Sequence, residues 1–291
     1  MNKNYIALVL QGGGALGAYE YGVLKALYEQ NDFSPDIISG VSIGAFSAAV
    51  LTGAVGDPVK ALGELWKCFT TKSLPLTPQP VQLAMSLMYN QGMYSPNPNA
   101  YWNPGMSTHF YNTDLLYTTL NKIIDLDKLN SKQSPHLIIT ATNIETGQLD
   151  LFDNREMDIT FEHIVASGSL PPSFPMVDID DNSYWDGGLF SNTPLKPAFK
   201  ALEKLGTDKD QREMILVELF AHSGKKPQNM SDVFDRMIEI TFECKIRHDS
   251  KQYQRINQYV DLMQAIDKEL PEDSKLKNEP IYQKLLSYKK I

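Results

Sequence analysis

Residues 5–20 of this chain are YIALVLQGGGALGAYE, an apolar run followed by three glycines and a helix-like segment. The run Tyr5–Leu10 is continuous and contains β-branched residues, which is typical of a buried parallel strand. After the glycines, apolar residues recur at helical spacing. A glycine loop between a strand and a helix presents backbone N–H groups to an anion. The segment therefore predicts a site for a negatively charged group.

The residues that follow extend this pattern into a fold. A second strand is indicated at 36–41, and a helix rich in small residues at 43–51. Strand, helix, strand and helix in close succession predict a parallel sheet. Further apolar strands are indicated at 137–142 and 214–220. The sequence therefore predicts an α/β fold with three layers, α/β/α, around a mainly parallel central sheet.

Composition narrows the function classes. The formal net charge of −8 over 291 residues argues against nucleic-acid binding, which normally requires a basic stripe. No apolar run approaches the roughly 20 residues that span a bilayer, and the N-terminus lacks the pattern of a signal peptide. We expect a cytoplasmic protein or one peripheral to a membrane, while a non-standard export route would leave no readable signal. Cys68 and Cys244 lack metal-type spacing and are expected to be reduced.

Two kinds of anion could occupy the glycine loop. Gly12, Gly14 and Gly17 match the dinucleotide-binding pattern, which also requires an acidic residue about twenty positions on, at the end of the second strand. Here that strand begins with Asp36 and ends in Ser42, so a serine stands where the acid should be. An oxyanion formed during catalysis is therefore the favoured occupant.

Ser42 belongs to the pattern Gly40-Val41-Ser42-Ile43-Gly44, a G-x-S-x-G between a predicted strand and a predicted helix. This is the context of a nucleophile elbow, in which the flanking glycines permit a sharp turn that exposes the serine hydroxyl. The following helix directs its partly positive N-terminus at the site. The pattern predicts a nucleophilic serine, with an incidental serine in a tight turn as the alternative.

A serine nucleophile needs a base, and the chain offers two kinds. Among the histidines at 109, 136, 163, 222 and 248, only His222 follows a strand at a suitable place, and no local pattern supports it. The turn Asp186-Gly187-Gly188 offers a carboxylate instead. A carboxylate within hydrogen-bond reach can deprotonate serine directly, and burial would raise its pKa towards the working range.

The glycine loop at 12–17, the elbow at 40–44 and the Asp turn at 186–188, in this order, resemble the patatin-like phospholipase family of serine acyl hydrolases. The stretches ATN at 141–143 and ASGSLPPSFP at 166–175 are also similar to family segments. The resemblance covers about Tyr5 to Pro194. It implies a patatin-like variant of the α/β-hydrolase arrangement.

By matching motif, the resemblance also implies roles for individual residues. Ser42 would be the nucleophile, Asp186 the base, and the backbone N–H groups of Gly12, Gly13 and Gly14 the oxyanion hole, with neither cofactor nor metal. The implied activity is hydrolysis of fatty-acyl esters of phospholipids or related lipids. A non-catalytic lipid-binding module with a relic site and a dinucleotide-binding oxidoreductase are the alternatives.

One position departs from the family pattern. Many members have Arg or Lys two residues after the third glycine, where this chain has Leu16. The backbone donors do not depend on that side chain, so the implied chemistry is unaffected. In members with Arg or Lys at this position, that cation would hold an anionic head group. Because this chain has Leu16 there, the choice of head group is left open.

Two regions lie outside these motifs. The segment 74–106 is rich in proline, methionine and aromatic residues. It is either a loop packed over the core or a cap that gates the site and contacts a membrane or micelle surface.

The charged region 231–268 predicts two helices. Without a convincing linker, we expect one domain over 1–291, with a catalytic core at about 5–220 and a helical extension, 221–291, packed on it. The sequence does not indicate the oligomeric state.

Overall fold

The computed structural model describes residues 4–30, 33–71, 77–78, 81–82, 88–205, 211–221 and 223–288, except for the side chains of 244–250 and 252–253. The chain divides into two compact units, Met1–Ala221 and His222–Ile291. All described strands lie in the first unit. They are β1 (Tyr5–Leu10), β2 (Ile37–Gly40), β3 (Ser95–Pro96), β4 (Tyr111–Asn112), β5 (His136–Asn143), β6 (Leu149–Asp153), β7 (Val177–Ile179), β8 (Asn182–Asp186) and β9 (Arg212–Val217).

The described helices of the first unit are α1 (Gly17–Tyr28), α2 (Ile43–Gly53), α3 (Pro58–Phe69), α4 (Pro98–Trp102), α5 (Asp114–Ile123), α6 (Leu126–Leu129), α7 (Phe161–Ser167) and α8 (Leu195–Leu205). Short 3-10 turns occur at Gly14–Leu16, Pro104–Met106 and Gly187–Leu189. Most of the strands and helices expected from the sequence are present, with ends that differ by a few residues. Helix α8 was not expected.

The central sheet confirms the predicted fold class. β1 pairs in parallel with β2 and β9, and β2 pairs in parallel with β5. β6 and β8 pair with β5 in the antiparallel sense, as β7 does with β8. β3 and β4 form a separate two-stranded sheet. The parallel strands at the centre make this a mainly parallel sheet.

Alternate residues of the central strands serve opposite faces of the sheet, as the two-residue period of a strand requires. Leu8 and Ile38 belong to the main core, which also includes the side chains of α2. Their neighbours Ala7 and Ile37 pack with Ala201 and Leu202 of α8 in a smaller core on the other face. Helices therefore cover both faces, which gives the three layers α/β/α.

The register of β5 positions two distant parts of the chain together. Its first half, His136–Ile139, pairs with β2, and its second half, Ala141–Asn143, pairs with β8. β6 pairs with Ile138–Thr142 and so occupies the opposite edge along both halves. β2 and β8 therefore lie end to end on the same side of β5. Because β8 is antiparallel, its last residue points back towards the end of β2.

The second unit is helical. It contains α9 (Met230–Glu269), a 3-10 turn at Lys275–Asn278 and α10 (Pro280–Leu286). The prediction of two helices over 231–268 is wrong, since α9 is one continuous helix of 40 residues. No glycine or proline occurs between its ends, so nothing in the sequence breaks it. Within the described residues, no helix has an apolar stretch long enough to cross a membrane.

Candidate active site

Ser42 occupies the sharp turn between β2 and α2. Its backbone has φ 55° and ψ −127°, a conformation with positive φ that is uncommon for a residue other than glycine. The turn also brings backbones close together. A Cβ at Gly40 would lie 2.3 Å from the Gly44 carbonyl oxygen, and one at Gly44 would lie 2.4 Å from that of Leu10. The local geometry is that of an elbow which holds a strained serine at the end of a central strand.

The structure brings Ser42 and Asp186 into direct contact. Ser42 Oγ donates a hydrogen bond of 2.6 Å to Oδ2 of Asp186, the last residue of β8. The other carboxylate oxygen, Oδ1, accepts the backbone N–H of Gly188 at 2.7 Å. The backbone of Gly187 packs against the Thr140 carbonyl of β5, where a Cβ would lie 2.4 Å from the oxygen. The turn thus orients one carboxylate oxygen towards the serine.

Burial controls the acidity of Asp186. Its side chain is almost completely buried, and this burial raises its pKa to about 6, while the hydrogen bonds from Ser42 and Gly188 oppose the rise. A carboxyl group with this pKa is mostly ionised at neutral pH, yet it accepts a proton more readily than an exposed aspartate. Those are the properties required of a general base.

The last residue of α7 and the segment that follows it hold both members of the pair. The backbone N–H of Ser42 donates to the carbonyl of Ser167 at 3.1 Å and to its hydroxyl oxygen at 3.0 Å. The Ser167 hydroxyl in turn donates to the Thr140 carbonyl at 2.8 Å. The carbonyl of Ser169 accepts the N–H of Asp186 at 3.0 Å. This accounts physically for the stretch at 166–175 that resembled the family.

The glycine loop lies beside Ser42. A Cβ at Gly12 would be 3.0 Å from the Cβ of Ser42. The Gly12 N–H donates to the carbonyl of Asn192 at 3.2 Å, and Asn192 Nδ2 donates back to the Gly12 carbonyl at 2.9 Å. Among the residues that the structure describes, no acceptor is found for the N–H groups of Gly13 and Gly14. Within the described part of the chain, these two backbone donors of the loop have no protein acceptor.

Asn192 and Gln11 anchor this loop, and no motif in the sequence identifies either role. Asn192 is buried six positions after Asp186 and clamps Gly12 through both of its hydrogen bonds. The buried Gln11 accepts the N–H of Leu219 through its side-chain oxygen at 2.6 Å. The only available signal for Asn192 was its closeness in sequence to the Asp turn.

The described histidine side chains are engaged elsewhere. His136 pairs with Asp153 at 2.6 Å, His109 bonds Asn112, and the buried His163 caps its own helix. Within the described side chains, none of these three histidines is hydrogen-bonded to Ser42. The alternative base His222 and the side chain of His248 lie outside the described residues. Cys68 is a free, exposed thiol, and the side chain of Cys244 also lies outside the description.

Comparison with known proteins gives consistent matches. A family model described as Patatin-like phospholipase matches residues 8–199. A Lysophospholipase NTE1 of Cryptococcus neoformans is 23% identical over 236 residues, which cover 78% of this chain but only 12% of that protein. A patatin-like phospholipase domain-containing protein of Coccidioides immitis is 47% identical over 61 residues, or 21% of this chain and 8% of that protein.

Among solved structures, VipD from Legionella pneumophila matches with a TM-score of 0.44 and 16% sequence identity. The match covers 90% of this chain and 55% of VipD. The chain thus spans a small part of the curated relatives and about half of this structure.

Proposed function

Because the chain belongs to the patatin-like phospholipase family, we propose that it is a serine acyl-ester hydrolase whose catalytic dyad is Ser42 and Asp186. The observation that supports this most directly is the 2.6 Å hydrogen bond from Ser42 Oγ to the buried Asp186 carboxylate. The carboxylate, whose pKa is raised, is a base that can take the proton of the serine hydroxyl, and the hydrogen bond fixes the orientation of that hydroxyl.

The reaction proceeds in two acyl-transfer steps. Ser42 Oγ attacks the ester carbonyl carbon as its proton moves to Oδ2 of Asp186, which gives a tetrahedral oxyanion. When the intermediate collapses, the carbonyl reforms and the C–O bond to the leaving alcohol breaks. The alcohol takes the proton from Asp186. A water molecule then attacks the acyl-serine, gives its proton to Asp186, and releases the fatty acid as the proton returns to Ser42.

The oxyanion is the charge that the glycine loop would stabilise. We assign this role to the N–H groups of Gly13 and Gly14, for which no acceptor is found among the described residues. The Gly12 N–H, expected from the resemblance to take part, already donates to Asn192 and contributes only if that bond opens. One such donor typically changes the rate by about 10² to 10³.

The proposed substrates are fatty-acyl esters of phospholipids or related lipids. The name Lysophospholipase carried by the long relatives supports this class, although this chain matches only a small part of them. Leu16, which replaces the cation of many family members, is exposed beside the glycine loop. An apolar side chain there favours acyl chains over an anionic head group. We keep the predictions that the segment 74–106 contacts the lipid surface and that the protein is cytoplasmic or peripheral to a membrane.

Turnover of a medium-chain p-nitrophenyl ester tests the dyad. Ser42→Ala and Asp186→Asn should each abolish turnover while the circular dichroism spectrum stays that of the wild type. The chain offers a matched control, because Ser183 and Asp178 form an exposed pair with the same 2.6 Å hydrogen bond. Ser183→Ala and Asp178→Asn should keep full activity. Retained turnover in either dyad variant would contradict the proposal, and a folded but inactive wild type would favour the non-catalytic lipid-binding alternative.

A further inference from the structure

The segment 73–113 contains no Asp, Glu, Lys or Arg, although these residues make up 21% of the sequence. It carries prolines, asparagines, methionines and aromatic residues instead. Charged side chains are almost always exposed, and they are common on the surfaces of proteins. A segment of this length without one is therefore unusual for a chain whose net charge is −8.

The described part of this segment forms a hairpin with large apolar side chains on its outside. Strands β3 and β4 pair at its base, and α4 and the 3-10 turn at Pro104–Met106 form its tip. Trp102 is 87% exposed and Met106 is 80% exposed, and Tyr101 and Phe110 are also exposed. We call the side chains of Tyr101, Trp102, Met106 and Phe110 the apolar plate. Exposed apolar groups in such a cluster mark interaction sites.

Polar groups on the inside of the hairpin hold the apolar plate in place. The buried Asn97 donates through Nδ2 to the Ser107 hydroxyl and to the His109 carbonyl, each at 3.0 Å. Its Oδ1 accepts the N–H of Asn99 at 3.1 Å. The hairpin therefore buries the polar side chain of Asn97, while its largest apolar side chains at the tip are exposed.

The hairpin is attached to the same short segment as the dyad. The N–H of Phe110 donates to the Pro172 carbonyl at 3.0 Å, and the rings of Tyr94 and Tyr111 pack on Phe174. Three residues before Pro172, the carbonyl of Ser169 accepts the N–H of Asp186. Three residues span at most about 11 Å. The base of the hairpin thus lies close to the candidate active site.

Further apolar side chains border the site itself. Leu16 in the glycine loop, Tyr19 just after it, and Leu189 and Phe190 just after the Asp turn are all exposed. Exposed apolar side chains therefore also adjoin, in sequence, the elements that carry the dyad.

From these observations we infer that the apolar plate docks the protein onto a zwitterionic lipid surface, such as a phosphatidylcholine bilayer, beside the Ser42–Asp186 pair. The choice of lipid rests on the proposed function, because the acyl esters of a lipid hydrolase are held in such surfaces. Tryptophan and other amphipathic aromatic rings settle at the level of the lipid head groups. The segment has no Lys or Arg to attract anionic lipids, and the net charge of −8 repels them.

A protein partner fits the apolar plate less well. Protein interfaces are enriched in arginine as well as in aromatic residues and Met, and they have a polar rim. The segment 73–113 supplies the aromatic residues and Met but no arginine.

Vesicle sedimentation tests the inference, with Ser42→Ala as the parent protein so that no lipid is consumed. The parent should bind phosphatidylcholine vesicles, and adding Trp102→Ala and Met106→Ala should weaken binding by about 10- to 100-fold, since two large apolar side chains no longer leave water. Leu151→Ala with Met157→Ala is the matched control, because these exposed apolar residues lie on and after β6. This pair should leave binding unchanged.

The dependence on charge is the second readout. Binding should not weaken when salt is raised, nor strengthen when a third of the lipid is phosphatidylserine. A parent protein that does not bind phosphatidylcholine, binding that requires phosphatidylserine and disappears at high salt, or unchanged binding after the plate substitutions would each overturn the inference. The first of these results would point to a protein partner instead.

Activity separates the inference from the proposed function. In the otherwise wild-type chain, Trp102→Ala with Met106→Ala should leave hydrolysis of a soluble short-chain ester unchanged and reduce hydrolysis of phosphatidylcholine vesicles. An equal loss on both substrates would contradict a docking role. If the wild type cleaves no ester at all, the proposed function fails, while the sedimentation result still decides the docking surface.

Discussion

Asp186 shows how a single buried residue fixes the chemistry of the site. Burial raises its pKa to about 6, although hydrogen bonds from Ser42 and from the Gly188 backbone stabilise the carboxylate. The group must be ionised to accept the proton of Ser42. The proposed mechanism therefore has a definite dependence on pH.

We expect kcat/KM for a soluble ester to be constant at neutral pH and to fall about tenfold per pH unit below the pKa of Asp186, near pH 6. The direction follows because protonation of Asp186 removes the base. A pH–rate profile from pH 4 to pH 8 measures this. Activity that is unchanged down to pH 4 would show that another group acts as the base.

Glu20 is a second buried carboxyl, placed on α1 directly after the glycine loop. Both of its carboxyl oxygens lack a hydrogen bond among the described residues, and burial raises its pKa to about 8. The Ser47 hydroxyl on α2 opposes the rise, although it does not meet hydrogen-bond geometry with either oxygen. The mechanism does not use Glu20, so its effect should appear in stability.

Glu20→Gln should flatten the dependence of the free energy of unfolding on pH. The folded-state pKa lies above the ordinary value of 4.5 for this group, so the folded protein binds the extra proton between about pH 4.5 and pH 8. The stability from this group is full below pH 4.5 and is lost as pH rises through 8, at up to about 1.4 kcal/mol per pH unit. Urea unfolding at several pH values measures the slope. The exposed Glu29→Gln should leave it unchanged, and an unaltered slope in Glu20→Gln would contradict the account.

At the scale of elements, the elbow between β2 and α2 requires glycine at positions 40 and 44, because a side chain at either would clash with neighbouring backbone. Gly40→Ala would place a methyl group 2.3 Å from the Gly44 carbonyl oxygen, which is backbone and cannot rotate away. We expect a loss of at least about 2 kcal/mol in stability together with a large loss of activity.

The control for that substitution lies on α1. A Cβ at Gly22 would meet nothing within 4 Å, and Gly22 is exposed in the interior of a helix. Gly22→Ala should therefore raise the stability by up to about 1 kcal/mol and leave activity unchanged. Thermal unfolding and ester turnover of both variants measure the difference. A Gly40→Ala protein as stable and as active as the wild type would contradict the geometry of the elbow.

The sequence predicted the elements that carry the site because each has a local signature. A continuous apolar run marked β1, and the glycine patterns marked the loop and the elbow, where the backbones at Gly40 and Gly44 approach their neighbours closely. Asn192 and Ser167 could not be predicted, because their partners at Gly12 and Ser42 are more than a hundred positions away in the sequence. No local pattern predicted that β8 pairs with the second half of β5, beyond the point where β2 ends.

At the scale of the whole molecule, the chain comprises two units that differ in secondary structure: the first contains strands and helices, and the described part of the second is helical. Every residue of the two hydrophobic core clusters lies within Met1–Ala221, as do Ser42, Asp186 and the glycine loop. The second unit is built from α9, a 3-10 turn and α10. We retain the proposal of a catalytic core at about 5–220 and a helical extension at 221–291.

A chain that ends at Ala221 should fold and should hydrolyse a soluble ester, because it keeps the whole core and all proposed catalytic groups. Its circular dichroism spectrum should retain the strand signal and lose helix in proportion to α9 and α10. Turnover within about threefold of the full chain is expected. A truncated chain that is unfolded would show that the extension is an integral part of the catalytic fold.

Covalent labelling by a fluorophosphonate tests the central claim most directly, since the reagent reacts preferentially with activated serines. Intact-mass analysis of the wild type should show a single adduct, and peptide mapping should place it on Ser42. Ser42→Ala should take up none, Asp186→Asn should react far more slowly, and Ser183→Ala should react like the wild type. An unlabelled but folded wild type, or a Ser42→Ala protein labelled as fast as the wild type, would contradict a nucleophilic Ser42 activated by Asp186.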